Sequence, residues 1–172
     1  MDTGYVEAVR RFYEEYRQEL FTYALALTGS RAMAEDAVHE ALYNILQQRR
    51  DAANFRAYVF RAVRNAAIDE IRTRTRETPA ESLFLTDTVA YDAEQQDAQR
   101  LAADLLNHLG PDERESIVLK LYNDLTFREI GEIRGVPLNT VASWYRRGLE
   151  KLRAEYHAHH TASTCSQGAS HG

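Results

Sequence analysis

The 172-residue sequence lacks the features of secreted, membrane-spanning and disulfide-linked proteins. It has a single cysteine, Cys165, which cannot form a disulfide bond within the chain. No apolar run approaches the roughly 20 residues that a transmembrane helix needs. The N-terminal stretch MDTGYVEAVRR has no apolar segment behind a basic start, as a secretory signal would. These absences predict a cytoplasmic protein without membrane insertion.

The sequence also lacks the common patterns of enzymes. It has no glycine-rich phosphate loop and no nucleophile–base pattern. The acids and histidine of AEDAVHE would serve an enzyme, but a helical di-iron site needs paired Glu-x-x-His motifs, which do not occur. We therefore expect no catalytic residue, cofactor or metal. The alternative is a metal sensor in the tail, formed by Cys165 with His157, His159, His160 and His171, but their spacing matches no firm zinc pattern.

The charge of the chain is unevenly distributed. The net charge of −5 looks unsuited to nucleic-acid binding, yet it combines two basic segments with an acidic one. Residues 55–76 carry 6 Arg and 2 acids, residues 126–153 carry 6 basic residues and 3 acids, and residues 77–115 carry 10 acids and 2 Arg. Basic segments favour anionic partners, although either one alone could be a solvated helix face.

Apolar residues recur at three- and four-residue steps, and strand-like alternation is absent, so the sequence predicts an all-α protein. The first helix is expected over about Tyr5–Thr28. Ser30 is expected to cap the second helix, RAMAEDAVHEALYNILQQ, and Asn54 to cap the third.

Composition divides the chain into two small helical domains, residues 1–76 and 92–156. The acidic stretch 77–91 is predicted to be a flexible linker, and residues 157–172, which are small, polar and aperiodic, a disordered tail. In the second domain Pro111 is expected to start the helix PDERESIVLKLY. Its apolar positions Ile117, Val118 and Leu121 are expected to be buried.

The segment LTFREIGEIRGVPLNTVASWYRRGLEKLR, residues 125–153, predicts a helix-turn-helix. Thr126 and Glu129 form a capping box, Gly131 lies where two helices approach closely, and Gly135 supplies the turn. The polar face of the second helix carries Asn139, Thr140, Ser143, Arg146, Arg147 and Lys151. An ordinary helical hairpin is the alternative, but the combination of caps, turn and segregated faces favours DNA contact.

Two stretches precede this motif. AEDAVHEALYNIL has an acidic edge, and FRAYVFRAVRNAAIDEIRTRTR is a basic helix with interleaved aromatics, which suits unstacked bases and a single-strand backbone. In order and spacing, LTGSRAMAEDAVHEAL, RAYVFRAVRNAAIDEIR and the helix-turn-helix resemble the bacterial extracytoplasmic-function (ECF) sigma factors of RNA polymerase. The resemblance extends from about Tyr5 to Tyr156.

The resemblance implies a transcription initiation factor that directs core polymerase to promoters, melts the −10 element and binds the −35 element. The surface for the β′ clamp would be Glu35, Asp36, Val38, His39, Glu40, Leu42 and Tyr43. The −10 contacts would be Asn54, Tyr58, Arg61, Arg64, Asn65, Arg72 and Arg74. The −35 contacts would be Thr126, Arg128, Asn139, Thr140, Ser143, Arg146, Arg147 and Lys151. The implied partners are the β′ and β subunits, promoter DNA and an anti-sigma factor.

Three residues depart from the family's pattern. His39 stands where Gln is usual, and Ala142 and Trp144 stand where the recognition helix commonly has Lys or Arg. Trp144 is expected to pack against its own domain, or else to cover a partner surface, and the −35 sequence is expected to be unusual. A free-standing helix-turn-helix regulator is the alternative function, but it leaves the two upstream stretches without a role.

Overall fold

The computed structural model describes residues 3–77, 101–102 and 104–167, with the backbone alone at 77 and from 159 onward. The segment 78–100, which holds nearly all of the predicted acidic linker, lies outside the described residues. Every regular element in the described ranges is helical, as the sequence predicts. The elements are α1 (Thr3–Thr28), α2 (Arg31–Gln48), α3 (Phe55–Glu77), α4 (Pro111–Ile117), a π-helical turn (Val118–Tyr122), α5 (Phe127–Arg134) and α6 (Leu138–Gln167). None of the described helices combines the length and apolar character needed to cross a membrane.

The N-terminal unit is formed by α1, α2 and α3 around an apolar core. The periodic stripe of α1 buries Leu20 and Tyr23, and these side chains join Phe60 of α3 in one apolar cluster. Gly29 ends α1 with a φ of 66°, which lies in the left-handed region that glycine adopts readily. The Ser30 hydroxyl accepts a hydrogen bond from the backbone N–H of Met33, so the predicted cap of α2 is confirmed.

The C-terminal unit contains the predicted helix-turn-helix in α5 and α6. The Thr126 hydroxyl accepts a hydrogen bond from the Glu129 N–H at 3.2 Å, and the Glu129 carboxylate accepts one from the Thr126 N–H at 2.8 Å. This reciprocal pair is the capping box. A Cβ atom on Gly131 would lie 2.7 Å from the Val136 carbonyl oxygen, which confirms the close approach of the chain at this residue.

A π-helical turn corrects one prediction for the C-terminal unit. Leu121 was expected to be buried with Ile117 and Val118, but it is 59% exposed, whereas Leu119 is fully buried. The cause is the wider turn, in which the Asn123 N–H donates to the Val118 carbonyl. A wider turn rotates the following residues away from the face predicted for a regular α-helix.

The end of α6 also differs from its prediction. Residues 157–167 continue the helix to Gln167, whereas the sequence predicts a disordered tail from residue 157. The segment has no Gly or Pro before Gly168, and extending an established helix by one residue costs far less than nucleating a new one. Residues 168–172 lie outside the described part of the chain.

The two units pack directly against each other. Leu119, Leu125 and Ile130 of the C-terminal unit belong to the same apolar cluster as Phe60 and Val63 of α3. The Asn123 side-chain amide donates to the Glu19 carbonyl of α1 at 3.1 Å. This arrangement brings α4 and α5 beside the basic helix α3.

Candidate polymerase and nucleic-acid interfaces

The outer face of α2 presents most of the predicted polymerase surface. Its exposed members are Glu35, Asp36, His39, Glu40 and Tyr43. Tyr43 is 62% exposed, an unusual fraction for a large aromatic ring on a helix. Its neighbour Leu42 is half-buried. The result is an acidic surface with an aromatic side chain at one end.

Val38 does not belong to that surface. Its side chain is 4% exposed and lies in the apolar core of the N-terminal unit. Val38 follows Ala34 by four residues and precedes Ala41 by three, and both of these are buried as well. The helical repeat therefore turns Val38 inward. The prediction that Val38 offers a polymerase contact is corrected to a structural role.

A groove of about 380 Å³ extends this surface toward α1. Tyr13, Arg17, Gln18 and Phe21 line it from α1, and Arg31, Glu35 and His39 line it from α2. The Arg31 Nε lies 3.1 Å from a Glu35 carboxylate oxygen, and the Arg31 guanidinium lies over the Phe21 ring at 5.3 Å. His39, the departure from the family's Gln, is therefore exposed at the edge of a polar and aromatic groove.

The helix α3 carries the predicted −10 residues in three different environments. Arg61, Asn65, Arg72 and Arg74 are exposed. Tyr58 is half-buried. Asn54 caps the helix, because its side-chain oxygen accepts a hydrogen bond from the Ala57 N–H at 3.1 Å. Arg61, Asn65 and Arg72 are spaced by four and seven residues and so share one exposed side of α3, which is the basic face, whereas Arg74 lies on another side near the end of the helix.

Arg64 is not free in this structure. Its Nε donates to a carboxylate oxygen of Glu115 at 2.8 Å. Glu115 is 5% exposed and also accepts hydrogen bonds from the Tyr23 hydroxyl at 2.5 Å and from Arg134. A second acid, Asp112, is bonded to the same Arg134. One buried carboxylate therefore joins α1, α3 and α5, and we call these four residues, Tyr23, Arg64, Glu115 and Arg134, the Glu115 cluster.

The electrostatics of the Glu115 cluster follow from burial. Burial raises the pKa of the Tyr23 hydroxyl well above its ordinary value, and the Glu115 charge adds to this shift. Burial by itself lowers the pKa of Arg134, but Glu115 and Asp112 outweigh it, and the net shift is upward. Both donors are therefore held in their protonated forms beside the carboxylate.

The predicted −35 face is divided between exposed and paired residues. Thr126, Arg128, Asn139 and Arg146 are exposed, and Thr140 is half-buried. The Ser143 hydroxyl donates to the Asn139 carbonyl at 2.9 Å, one turn earlier in α6. Thr126 and Arg128 lie at the start of α5, whereas Asn139, Thr140 and Ser143 lie in the N-terminal part of α6. In a helix-turn-helix, the first helix crosses the DNA backbone and the N-terminal part of the second approaches the bases.

Two predicted −35 residues have a partner inside the unit. The Lys151 ammonium lies 2.7 Å from one Glu113 carboxylate oxygen, and the Arg147 Nε lies 3.6 Å from the other. The hydrogen bond from Lys151 lowers the pKa of Glu113, against the effect of burial, and the Gly110 N–H adds to the lowering. Lys151 and Arg147 remain 52% and 49% exposed, so they connect α6 to α4 while part of each side chain stays accessible.

Family models match both units of the chain. Sigma-70 region 2 matches residues 12–77 and sigma-70 region 4 matches residues 99–152. The chain is 31% identical over 159 residues to the ECF RNA polymerase sigma factor SigL of Mycobacterium tuberculosis, which covers 84% of this chain and 86% of SigL. This chain belongs to the ECF sigma factor family. It is a polymerase-associated transcription initiation factor, and the free-standing regulator is excluded because region 2 accounts for the upstream stretches.

Two further comparisons agree with this assignment. The ECF sigma factor SigE of Mycolicibacterium smegmatis is 30% identical over 166 residues, and the match spans 87% of this chain but 62% of SigE. The solved structure of the sigma factor RpoE with the anti-sigma factor NepR from Bartonella quintana has the same fold, with a TM-score of 0.68 at 24% identity. That match covers 84% of this chain and 96% of RpoE.

Trp144 of this ECF sigma factor packs against its own unit. The side chain is half-buried and packs against the apolar core, and the Arg134 guanidinium lies 4.8 Å from its ring centroid. Packing against its own domain, the first of the two roles predicted for Trp144, is therefore the one found. Ala142 is also half-buried.

The sequence reasoning missed Glu115, Arg134 and Asn123. Glu115 precedes the buried Val118 and Leu119 by three and four residues, so it lies on the apolar face of its helix. An acid on a buried face is the signal that would have identified it. Asn123 is 1% exposed, and its carbonyl accepts a hydrogen bond from Arg56 of α3 at 2.5 Å, a contact that no local pattern indicates.

The alternative of a metal sensor in the tail falls largely on residues whose side chains lie outside the described part of the chain. Of its members only His157 belongs to the part of the chain whose side chains are described. Within that part, no three histidines, cysteines or acids come together in a group that could hold a metal ion.

Proposed function

We propose that this sigma factor directs core polymerase by dividing the work between its two units. The outer face of α2 contacts the β′ clamp, α3 holds the opened strand of the −10 element, and α5 with α6 bind the −35 element, while the β subunit is a further partner of the holoenzyme. A factor that acts with core polymerase works in the cytoplasm, where the bacterial enzyme is.

The observation that carries this proposal is the rigid connection between α2 and α3. Ala41 and Ile45 of α2 and Val59 and Val63 of α3 are buried in one apolar core. The exposed acidic surface and the exposed basic face are therefore fixed relative to each other. A polymerase contact through α2 would then set the position of the strand-holding helix α3.

The opening step needs no chemistry from the protein. Turning a base out of the duplex costs a few kcal/mol, and a surface that holds the unstacked strand favours the open state by the energy of its contacts. The exposed Arg61, Asn65 and Arg72 offer cationic and amide groups, and Tyr58 offers an aromatic ring beside them. This combination suits a single-stranded backbone and unstacked bases.

The C-terminal unit supplies fewer free cations than its charge suggests. Arg128 and Arg146 are exposed, whereas Arg147 and Lys151 share Glu113. Each phosphate contact releases a counter-ion, so a face with few free cations gives weak binding that falls with salt. If the unit binds DNA only weakly in the absence of polymerase, promoter recognition depends on the polymerase. Ala142 and Trp144 supply no cation at two positions where the recognition helix commonly has Lys or Arg, and Trp144 packs against the core, which supports an unusual −35 preference.

Promoter opening by reconstituted holoenzyme tests the −10 assignment. We expect Asn65→Ala to reduce permanganate reactivity of the −10 thymines at least about tenfold, the size expected for losing one good base contact, while binding to core polymerase is unchanged. Arg11→Ala is the control, because its side chain is 76% exposed and its ion-pair partner, Glu7, lies in the same helix α1. Normal opening by Asn65→Ala would remove the assignment of α3 to the −10 element.

A protein antagonist is a further partner supported by the comparisons. The RpoE structure holds that sigma factor with the anti-sigma factor NepR. The present chain has the same fold and exposes its polymerase face in the free state, so an antagonist would have a surface to cover. Affinity purification from native cells, repeated with Tyr43→Ala, tests this: recovery of polymerase subunits alone would count against a dedicated antagonist.

A further inference from the structure

The two units of this chain meet at a buried carboxylate. Glu115 of the C-terminal unit accepts hydrogen bonds from Tyr23 and Arg64 of the N-terminal unit at 2.5 and 2.8 Å. Its side chain is 5% exposed, so the contact is shielded from solvent. Arg64 retains 21% exposure and is directed at the other unit rather than outward.

The packed arrangement cannot bind both promoter elements at once. The −35 and −10 elements are about 25 base pairs apart, which is about 85 Å of duplex at 3.4 Å per pair. Here the two units are in direct hydrogen-bond contact. The connecting residues 78–100 could span up to about 80 Å if extended, so the covalent chain allows the units to separate. Promoter binding therefore requires the contact at Glu115 to break.

Arg64 is the residue that both states would use. In the packed state its Nε bonds to a carboxylate oxygen of Glu115. In the proposed open state the same guanidinium faces a phosphate of the −10 strand. A carboxylate and a phosphate both accept charge-assisted hydrogen bonds from Arg, and the two acceptors compete for one donor. We infer that Glu115 is an intramolecular lock that competes with the promoter strand for Arg64, and this inference rests on the proposed function of α3.

The remaining contacts between the units are both apolar and polar: Leu119, Leu125 and Ile130 lie in one apolar cluster with Phe60 and Val63 of α3. Arg56 donates to the Asn123 carbonyl at 2.5 Å, and the Asn123 amide donates to the Glu19 carbonyl at 3.1 Å. Burying charged and amide groups costs desolvation, which offsets much of the energy that their pairing gains. The polar contacts therefore define the geometry of the packed state, and opening it also exposes apolar residues between the units, a cost that polymerase and promoter contacts must offset.

Two substitutions break the lock from opposite sides. Glu115→Gln removes the competing charge and leaves Arg64 available, whereas Arg64→Gln breaks the same contact and removes the DNA ligand. We expect both variants of the full-length protein to have a larger radius of gyration by small-angle X-ray scattering. If about 90% of the wild-type chain is packed, Glu115→Gln raises affinity for a single-stranded −10 oligonucleotide, without polymerase, by up to about tenfold. Arg64→Gln opens the chain equally but lacks the guanidinium, so we expect it to bind the oligonucleotide more weakly than Glu115→Gln does.

Asp112→Asn is the matched control. Asp112 bonds to the same Arg134 from the surface of its own unit and reaches no residue of the N-terminal unit among its hydrogen bonds in the described chain. We expect its size and its oligonucleotide affinity to equal those of the wild type. Far-UV circular dichroism of all four proteins verifies that they are folded.

The outcomes separate the lock from the proposed function. A folded Glu115→Gln with wild-type size and affinity overturns the lock, and the −10 role of α3 stands if Arg64→Gln still loses binding and opening. Oligonucleotide binding by Arg64→Gln as tight as that of Glu115→Gln instead overturns the competition for Arg64 and removes Arg64 from the −10 contacts. Equal expansion of the two variants, with tighter binding by Glu115→Gln than by the wild type and by Arg64→Gln, supports the lock.

Discussion

The two units of this sigma factor achieve their shapes by different means. The N-terminal unit consists of three helices of 26, 18 and 23 residues around large apolar side chains. The C-terminal unit includes helices of only 7 and 8 residues, and it buries Glu113, Glu115 and Asn123 beside its apolar residues. Apolar packing thus dominates the first unit, whereas caps, close approaches and buried polar contacts shape the second.

The difference teaches which residues are sensitive in each unit. A long amphipathic helix is held by many similar contacts along one stripe, so its stability depends on the volume of its core side chains. A short helix has few such contacts, and its position depends on single backbone and polar interactions. The following substitutions test this comparison, in order of the size of their expected effects.

Removing the Phe60 ring should have the largest effect. Phe60 is fully buried and lies 5.7 Å from the Tyr23 ring. We expect Phe60→Ala to lower the free energy of unfolding by about 3–5 kcal/mol, because the ring leaves a cavity in the core. Urea unfolding followed by circular dichroism measures this, and Arg11→Ala is the exposed control. A smaller loss than that of Gly131→Ala would reverse the comparison between the units.

A methyl group at Gly131 should have the next largest effect. Its Cβ would lie 2.7 Å from the Val136 carbonyl, so α5 and the turn must shift, and we expect a loss of about 1–3 kcal/mol together with weaker −35 binding. Gly135→Ala is the paired variant: its φ of 69° makes it strained, but no atom lies within 4 Å of the added Cβ. We expect it to cost about 1–2 kcal/mol.

Thermal unfolding and electrophoretic binding to a −35 duplex distinguish these two glycines. Both variants should be destabilised, but a shifted helix should weaken DNA binding more in Gly131→Ala than in Gly135→Ala. Equal binding by the two variants would mean that the approach at Gly131 does not position α6.

The smallest effect is the pH dependence contributed by Glu113. Hydrogen bonding to Lys151 lowers the pKa of this carboxyl below its ordinary 4.5 in the folded state. Its stabilising contribution is therefore complete above the unfolded pKa and is lost as the pH falls through the lower folded value. We expect Glu113→Gln to be less stable than the wild type at neutral pH by under about 1 kcal/mol, since Lys151 is half-exposed and screened.

Unfolding curves at a series of pH values measure that difference. The gap between the wild type and Glu113→Gln should close as the solution is acidified, because the protonated wild-type carboxyl then resembles the amide. A gap that stays constant would show that the ionised carboxylate contributes nothing to the connection of α4 with α6.

Local patterns predicted the helices and their ends well. The caps at Ser30 and Thr126, the close approach at Gly131 and the left-handed Gly135 each depend on residues within a few positions, and the structure confirms all four. The apolar stripes predicted the N-terminal core for the same reason. The predicted order of the two family regions is confirmed by the comparisons.

The remaining features depend on residues that are distant in sequence. Glu115 meets Arg64 across 51 positions and Tyr23 across 92, so no periodicity could have paired them. The π-helical turn, which exposes Leu121, comes directly before Asn123, whose side-chain amide donates to the distant Glu19 carbonyl of α1. Assigning Arg64 to DNA on the basis of its helix alone could not show that it already has a partner in the free chain.

The ring of Trp144 has a consequence for retargeting this protein to other promoters. The ring contacts the Arg134 guanidinium, and Arg134 in turn donates to Glu115. A chain of contacts therefore connects α6 to the buried carboxylate at which the two units meet. Replacing α6 with the corresponding helix of a relative would therefore change the base preference and, at the same time, weaken the contact between the units. Changing only the exposed residues of α6 and keeping Trp144 would alter the promoter preference without altering how readily the two units separate.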